Sequence, residues 1–225
     1  MILGGNKISK LDRNKNKTII GKSKYYFYIH LNLKKNKKIN LPKNSNFTIF
    51  ILDCENKHKI KLDNRIIEVR KNIFVYFKKY KTLENLNKTF EILLVGRKKT
   101  HLNNFYLKTK SSNFYKVRKP WGYELWINSI NSDFAFKKIF IKKGFKTSLQ
   151  FHNLKRETNL LLEGKAKFFY KKNKEIRNLK VLKENIGLKK FEKNTIINVY
   201  PKNIHRIEAL NDLILFEVSS PHLKD

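Results

Sequence analysis

One cysteine, Cys54, in 225 residues excludes an intramolecular disulfide and a Cys-based zinc site. No run approaches the roughly 20 apolar residues that a bilayer-spanning helix needs. The opening MILGGNKISK has no charged leader followed by an apolar stretch, so secretion is not indicated and cytoplasmic residence is the expectation. No window carries a sustained i, i+3, i+4, i+7 apolar stripe, which argues against amphipathic helices. Gly4-Gly5 follows no strand and is no phosphate-cradling loop. Acidic side chains are scarce as well, 18 against 51 Lys and Arg, for a formal charge of +33. Such an excess by itself points to a polyanion such as nucleic acid. Yet residues 1–116 carry a net +21 and the remainder +12. The charge is Lys-rich, Arg-poor and spread through the chain beside abundant Asn and Ile. That describes a solvated surface better than a footprint, although it would still attract phosphorylated metabolites.

What is present is β-forming. Hydrophobic residues make up 40%, with 17 Phe and 10 Tyr, enough to build a core. They fall in short runs: YYFYIHL (25–31), FTIFIL (47–52), RIIEV (65–69), IFVYF (73–77) and FEILLV (90–95). A second set comprises ELWI (124–127), FKKIFI (136–141), TSLQFH (147–152), TNLLL (158–162), AKFFY (166–170), TIINVY (195–200), HRIEAL (205–210) and LILFEV (213–218). Many short strands broken by Lys/Asn/Asp turns predict an all-β barrel or sandwich. FTIFILDCENK (47–57) aligns with TNLLLEGKAKF (158–168), IEVRKNIFVYFKK (67–79) with KFEKNTIINVYPK (190–202), and FEILLVG (90–96) with LILFEVS (213–219), in the same order. This suggests two copies of one β unit. The expected organisation is a loose polar arm over 1–22, a first β domain over 23–100, a linker over 101–115 and a second domain over 116–225.

One constellation carries chemistry. Gln150 and His152 stand two apart on a predicted strand and so share a face. After the turn Asn153–Arg156 the chain re-enters a strand, which would return Glu157 beside His152. His205 opens a later strand after Pro201-Lys202-Asn203 and supplies a fourth ligand if that strand is a neighbour. Two imidazoles, a carboxylate and an amide oxygen suit a divalent ion, with Zn²⁺ leading and Fe²⁺, Mn²⁺ or Co²⁺ as alternatives. The other histidines, His30, His58, His101 and His222, have no partners at ligand spacing.

The spacing Gly144-x5-Gln150-x-His152-x4-Glu157-x6-Gly164 resembles the first motif of the cupin superfamily, with Gln150 where His is usual. Tyr200-Pro201-Lys202-Asn203-Ile204-His205 resembles the second motif. Lys119-Pro120-Trp121-Gly122-Tyr123-Glu124 and His205-Arg206-Ile207-Glu208 are similar to runs in the cupin domain of type II mannose-6-phosphate isomerases. The chain departs from that pattern at Leu154 and Thr158, where the family carries His, and at Lys202, where the motif carries Gly. The resemblance implies a double-stranded β-helix, or jelly roll. With the repeat, it implies a bicupin whose N-terminal half is degenerate, since Leu41, Pro42 and Ser45 stand where its ligands would be sought.

It further implies a metal-dependent isomerase converting mannose 6-phosphate to fructose 6-phosphate in sugar-nucleotide or polysaccharide synthesis. The metal ligands would be Gln150, His152, Glu157 and His205. Arg206 and Lys143 are candidate catalytic or phosphate-holding residues at the rim, Trp121 and Gly122 are structural, and no guanylyltransferase activity is implied. The expected partners are a small sugar phosphate and a second copy of the chain, with neither nucleic acid nor membrane. Two alternatives stand: a non-catalytic sugar-binding or regulatory metal cupin, and a basic nucleic-acid-binding β protein.

Overall fold

Strand follows strand through the computed structural model, which describes residues 1–43, 45–78, 80–98, 107–110, 115–127, 133–172, 186–223 of the chain; no helix occurs among them. His101 and most of the expected linker lie outside the described residues. The chain divides into two compact units, one of residues 1–11 with 115–225, the other of residues 12–114.

In the larger unit, eight antiparallel strands run in the order Ile2–Leu3, Asn6–Lys10, Thr195–Val199, Glu157–Glu163, Leu213–Ser219, Ala135–Ile141, Gly122–Trp126 and Tyr115–Lys119. A smaller sheet holds Gly187–Glu192, Lys165–Lys172 and Asn203–Ala209. Isolated bridges Lys146↔Glu208 and Gln150↔His205 lay residues 146–150 along its edge. Ile139, Ile141, Leu161, Phe168, Val199, Leu213 and Leu215 form the core of this unit.

In the other unit the large sheet runs Leu107–Lys110, Phe74–Lys78, Ser45–Cys54, Thr89–Lys98, Phe27–Lys34 and Lys17–Lys22. The small one runs Lys38–Asn40, Thr82–Asn85, His58–Leu62 and Arg65–Val69. Five strands of its large sheet repeat the chain order and the spatial order of Thr195–Val199, Glu157–Glu163, Leu213–Ser219, Ala135–Ile141 and Gly122–Trp126. The repeat legible in the sequence is thus a repeat of topology. The core of this unit is apolar, built on Phe47, Ile60, Phe77, Leu83 and Phe90.

Residues 1–22 are no loose arm. Asn6–Lys10 pairs along Thr195–Val199, and Lys17–Lys22 pairs with Phe27–Lys34. Ile8, Leu11 and Ile20 are buried, spaced among Lys and Asn that face water, so a half-buried strand read as a polar tail. Turns between strands place Asn36, Lys57, Asp63, Asn72, Asn194 and Lys202 at positive φ. Asn and Asp tolerate that region better than most side chains. At Gly164 (φ +91°) a Cβ would meet the Asp212 carbonyl oxygen at 2.5 Å, so the tight turn demands glycine.

Candidate metal centre

Backbone pairing assembles the site. Gln150 N donates to His205 O at 2.9 Å, His205 N donates to Gln150 O at 3.0 Å, and Lys202 N donates to His152 O at 2.6 Å. A mutually bonded antiparallel pair points both side chains to one face, so Gln150 and His205 look into the same space. Glu157 opens its strand on the facing sheet, and Asn159 follows on the same face.

The ligand atoms of His152, Glu157 and His205 lie within 4.8 Å of one another, the one cluster of its kind among the described residues. His152 Nε2 is 3.5 Å from Glu157 Oε1, and His205 Nε2 is 3.2 Å from Glu157 Oε2. Glu157 is 2% exposed and His205 3%. Gln150 lines the adjoining cavity. The structure therefore gathers His152, Glu157 and His205 around one space, with Gln150 on the adjoining cavity.

The proton positions on His205 follow from its partners. Nδ1 faces the Asn203 carbonyl oxygen at 3.3 Å, a pure acceptor that the tautomer with hydrogen on Nδ1 would satisfy. Nε2, buried and making no hydrogen bond, then presents a lone pair to a carboxylate oxygen. In that tautomer two acceptors face each other at 3.2 Å, an arrangement that a metal ion held between them would satisfy. An imidazole oriented through its second nitrogen is how histidine is held for metal binding, and a donor set of two imidazoles and one carboxylate fits a divalent ion with an open position. These residues fit the metal that the sequence pattern implies.

Burial alone would raise the Glu157 carboxyl. The charge of Lys155 and the facing His152 and His205 imidazoles outweigh it and hold that carboxyl well below the ordinary carboxylate range. Lys155 Nζ donates to Glu157 Oε1 at 2.5 Å and sits 3.5 Å from Glu217 Oε1. Burial would lower Lys155, but Glu217 and Glu157 raise it. Lys137 continues the chain of charges, 3.6 Å from Glu217 Oε1 and 3.5 Å from Glu124 Oε2. Sequence reasoning missed Glu124, Lys137 and Glu217 as members of the site. The available signal was a charged residue inside an apolar strand, as in AFKKIFI and LILFEVS.

A small cavity opens beside the cluster. Its wall combines Thr147, Gln150, Asn159, Glu124 and Glu217 with Trp121, Ile139, Ile207 and Leu215. Arg206 and Lys143 do not line it. Arg206 alternates with His205 along the strand and faces the other way, while Lys143 is exposed and its backbone N–H donates to Asp212 Oδ1. Leu154 is 59% exposed. Thr158 points to the face opposite Glu157, where its hydroxyl donates to Asn198 Oδ1 at 2.8 Å. His30 and His58 have long-range partners instead: His30 Nε2 contacts Glu91 Oε1 at 2.7 Å, and His58 Nε2 contacts Asn85 Oδ1 at 2.8 Å.

No family model and no curated protein matches the chain. Solved structures do. Protein YlbA from E. coli superposes with a TM-score of 0.67 at 10% identity, over 99% of this chain and 94% of its own. Oxalate decarboxylase from Lactobacillus farciminis, in a formate complex, gives 0.62 at 13%, over 98% and 82%. AerE from Microcystis aeruginosa gives 0.57 at 12%, over 87% of each chain. The likeness at these identities is one of fold. The chain has the all-β cupin fold.

Proposed function

We propose that this cupin-fold chain is a metal-dependent aldose–ketose isomerase acting on a sugar phosphate, of the mannose-6-phosphate isomerase kind. The observation that carries the reading is the convergence of two imidazoles and a carboxylate beside an acceptor-lined cavity. His152, Glu157 and His205 would hold the ion, with Gln150 beside them; Zn²⁺ is the first choice, then Fe²⁺, Mn²⁺ or Co²⁺. The bound ion supplies Lewis acidity toward a carbonyl and its neighbouring hydroxyl. The amide and carboxylate oxygens of Gln150, Asn159, Glu124 and Glu217 accept hydrogen bonds from sugar hydroxyls and orient them. Trp121, Ile139 and Leu215 cover apolar ring edges and exclude water. Three carboxylates on or beside the cavity wall disfavour any anionic group against it, carboxylate or phosphate alike, because like charges would be desolvated together, so the phosphate of the substrate would sit away from that wall. They favour a polyhydroxylated ligand.

The departures at Leu154 and Thr158 do not weaken the catalytic reading, because neither side chain lines the cavity. The test is elemental analysis of the purified protein together with conversion of mannose 6-phosphate to fructose 6-phosphate. We expect about one divalent ion per chain, turnover abolished by chelator and restored by a divalent ion. His205→Ala should weaken metal binding by about 100-fold or more. A pure protein that takes up no divalent ion, or a loaded one without turnover, removes the proposal.

A further inference from the structure

Isomerisation of an aldose needs a group that carries a proton between two adjacent carbons, and we infer that Glu217 is that group. The inference rests on the isomerase reading above and adds to it a catalytic residue. Glu217 lies on Leu213–Ser219, directly opposite Lys137 on one neighbouring strand and Asn159 on the other. The register puts these three side chains on the same face. Glu217 lines the same cavity as His205 and Glu157, yet it is 7% exposed and its Oε1 makes no hydrogen bond.

The other cavity carboxylates are committed. Glu157 holds Lys155 through Oε1, and its Oε2 receives Asn159 Nδ2 at 3.4 Å and faces His205. Glu124 Oε2 accepts from Trp126 Nε1 at 3.1 Å and sits by Lys137. Glu217 alone among them keeps a buried oxygen clear of hydrogen bonds. Two ammonium groups, of Lys155 and Lys137, stand 3.5 and 3.6 Å from that oxygen. They balance its charge from the outer edge of hydrogen-bonding distance. A buried carboxylate oxygen on the cavity wall is placed to take a proton from a ligand bound there and to return it. Neither Arg206 nor Lys143 meets the condition.

The step balances. Glu217 removes the proton from C2 of the aldose, and the electron pair of that C–H bond forms the C1–C2 double bond as the C1 carbonyl pair moves to oxygen. The hydroxyl proton then passes from the oxygen on C2 to the neighbouring oxygen on C1. The carboxylic acid returns its proton to C1, and C2 becomes the carbonyl. One proton has moved from C2 to C1 and one from oxygen to oxygen, and Glu217 ends as it began.

The experiment compares metal-loaded wild type, Glu217→Gln and Glu217→Asp. Readouts are kcat and KM for mannose 6-phosphate, bound metal, the melting curve, and deuterium incorporation at carbon from D2O. We expect Glu217→Gln to lower kcat by about 100-fold or more, with deuterium incorporation lost in parallel. Metal content should be unchanged and KM should stay within about threefold. Glu217→Asp should keep metal and lie between the two in kcat, because its carboxylate is retained but withdrawn. If wild type turns over and Glu217→Gln stays within about tenfold of it, Glu217 is not the carrier while the isomerase reading stands. If both variants lose metal or melt early, the role is structural and the inference falls. A loaded wild type without turnover overturns the reading and this inference together.

Discussion

At the scale of the single residue, the buried charges of Glu91, Lys137, Lys155, Glu157 and Glu217 each have an answering charge. In residues 12–114, Glu91 is 6% exposed; Arg13 grips it with two nitrogens and His30 Nε2 contacts it at 2.7 Å. Burial would raise the Glu91 carboxyl, but His30 and Arg13 outweigh it and hold it down to about 2, against an ordinary 4.5. A depressed carboxyl stabilises the fold fully above its unfolded value and loses that contribution as pH falls through its folded value. The window therefore runs from about pH 4.5 down to about 2. The shift corresponds to at most about 3 kcal/mol, and Arg13's exposure reduces it to about 2 kcal/mol. Melting curves of Glu91→Gln against wild type should show that gap at pH 6 and its collapse near pH 2; a gap independent of pH would contradict the ion-pair account. None of this was legible in the chain, where Arg13, His30 and Glu91 stand far apart.

At the scale of the element, the strands were readable and the turns only in part. Ser45–Cys54 has its first eight residues buried, so both faces are covered and no alternation survives in SNFTIFIL; composition rather than period marked it. The turn before His205 places Lys202 at φ +64°, where the motif that the sequence resembles has Gly. A lysine there carries a cost of about 1–2 kcal/mol that glycine avoids, offset by glycine's greater freedom when unfolded. Lys202→Gly should raise stability by about 0.5–1 kcal/mol without changing metal affinity, because the Lys202 backbone N–H that holds His152 O is retained. A lower melting temperature would show that the lysine side chain has a stabilising contact of its own. The expected loose arm failed for a related reason: Ile8 and Leu11 are too few to reveal a strand until Thr195–Val199 supplies its partner.

At the scale of the whole molecule, +33 charges on 225 residues ensure electrostatic attraction to polyanions. Its lysines are distributed through both units. Binding to duplex DNA should appear at 50 mM salt, be indifferent to sequence, and weaken by about 10³-fold or more by 200 mM salt. Fluorescence anisotropy over a salt series checks this. Tight, sequence-selective binding at 150 mM would favour the nucleic-acid alternative. The same field would draw a phosphorylated substrate toward the cavity.

Taken alone, the sequence determined the all-β class and the repeated unit, and its motif spacing singled out Gln150, His152, Glu157 and His205 as candidate ligands, because strand composition and motif spacing survive in one dimension. Only the tertiary structure decided which further side chains meet them. Glu124, Lys137, Lys155 and Glu217 come from four separate segments, and cross-strand register alone sets Glu217 opposite Lys137 and Asn159. Register is a relation between distant segments, and a slip of one residue would turn each of these charges to the other face.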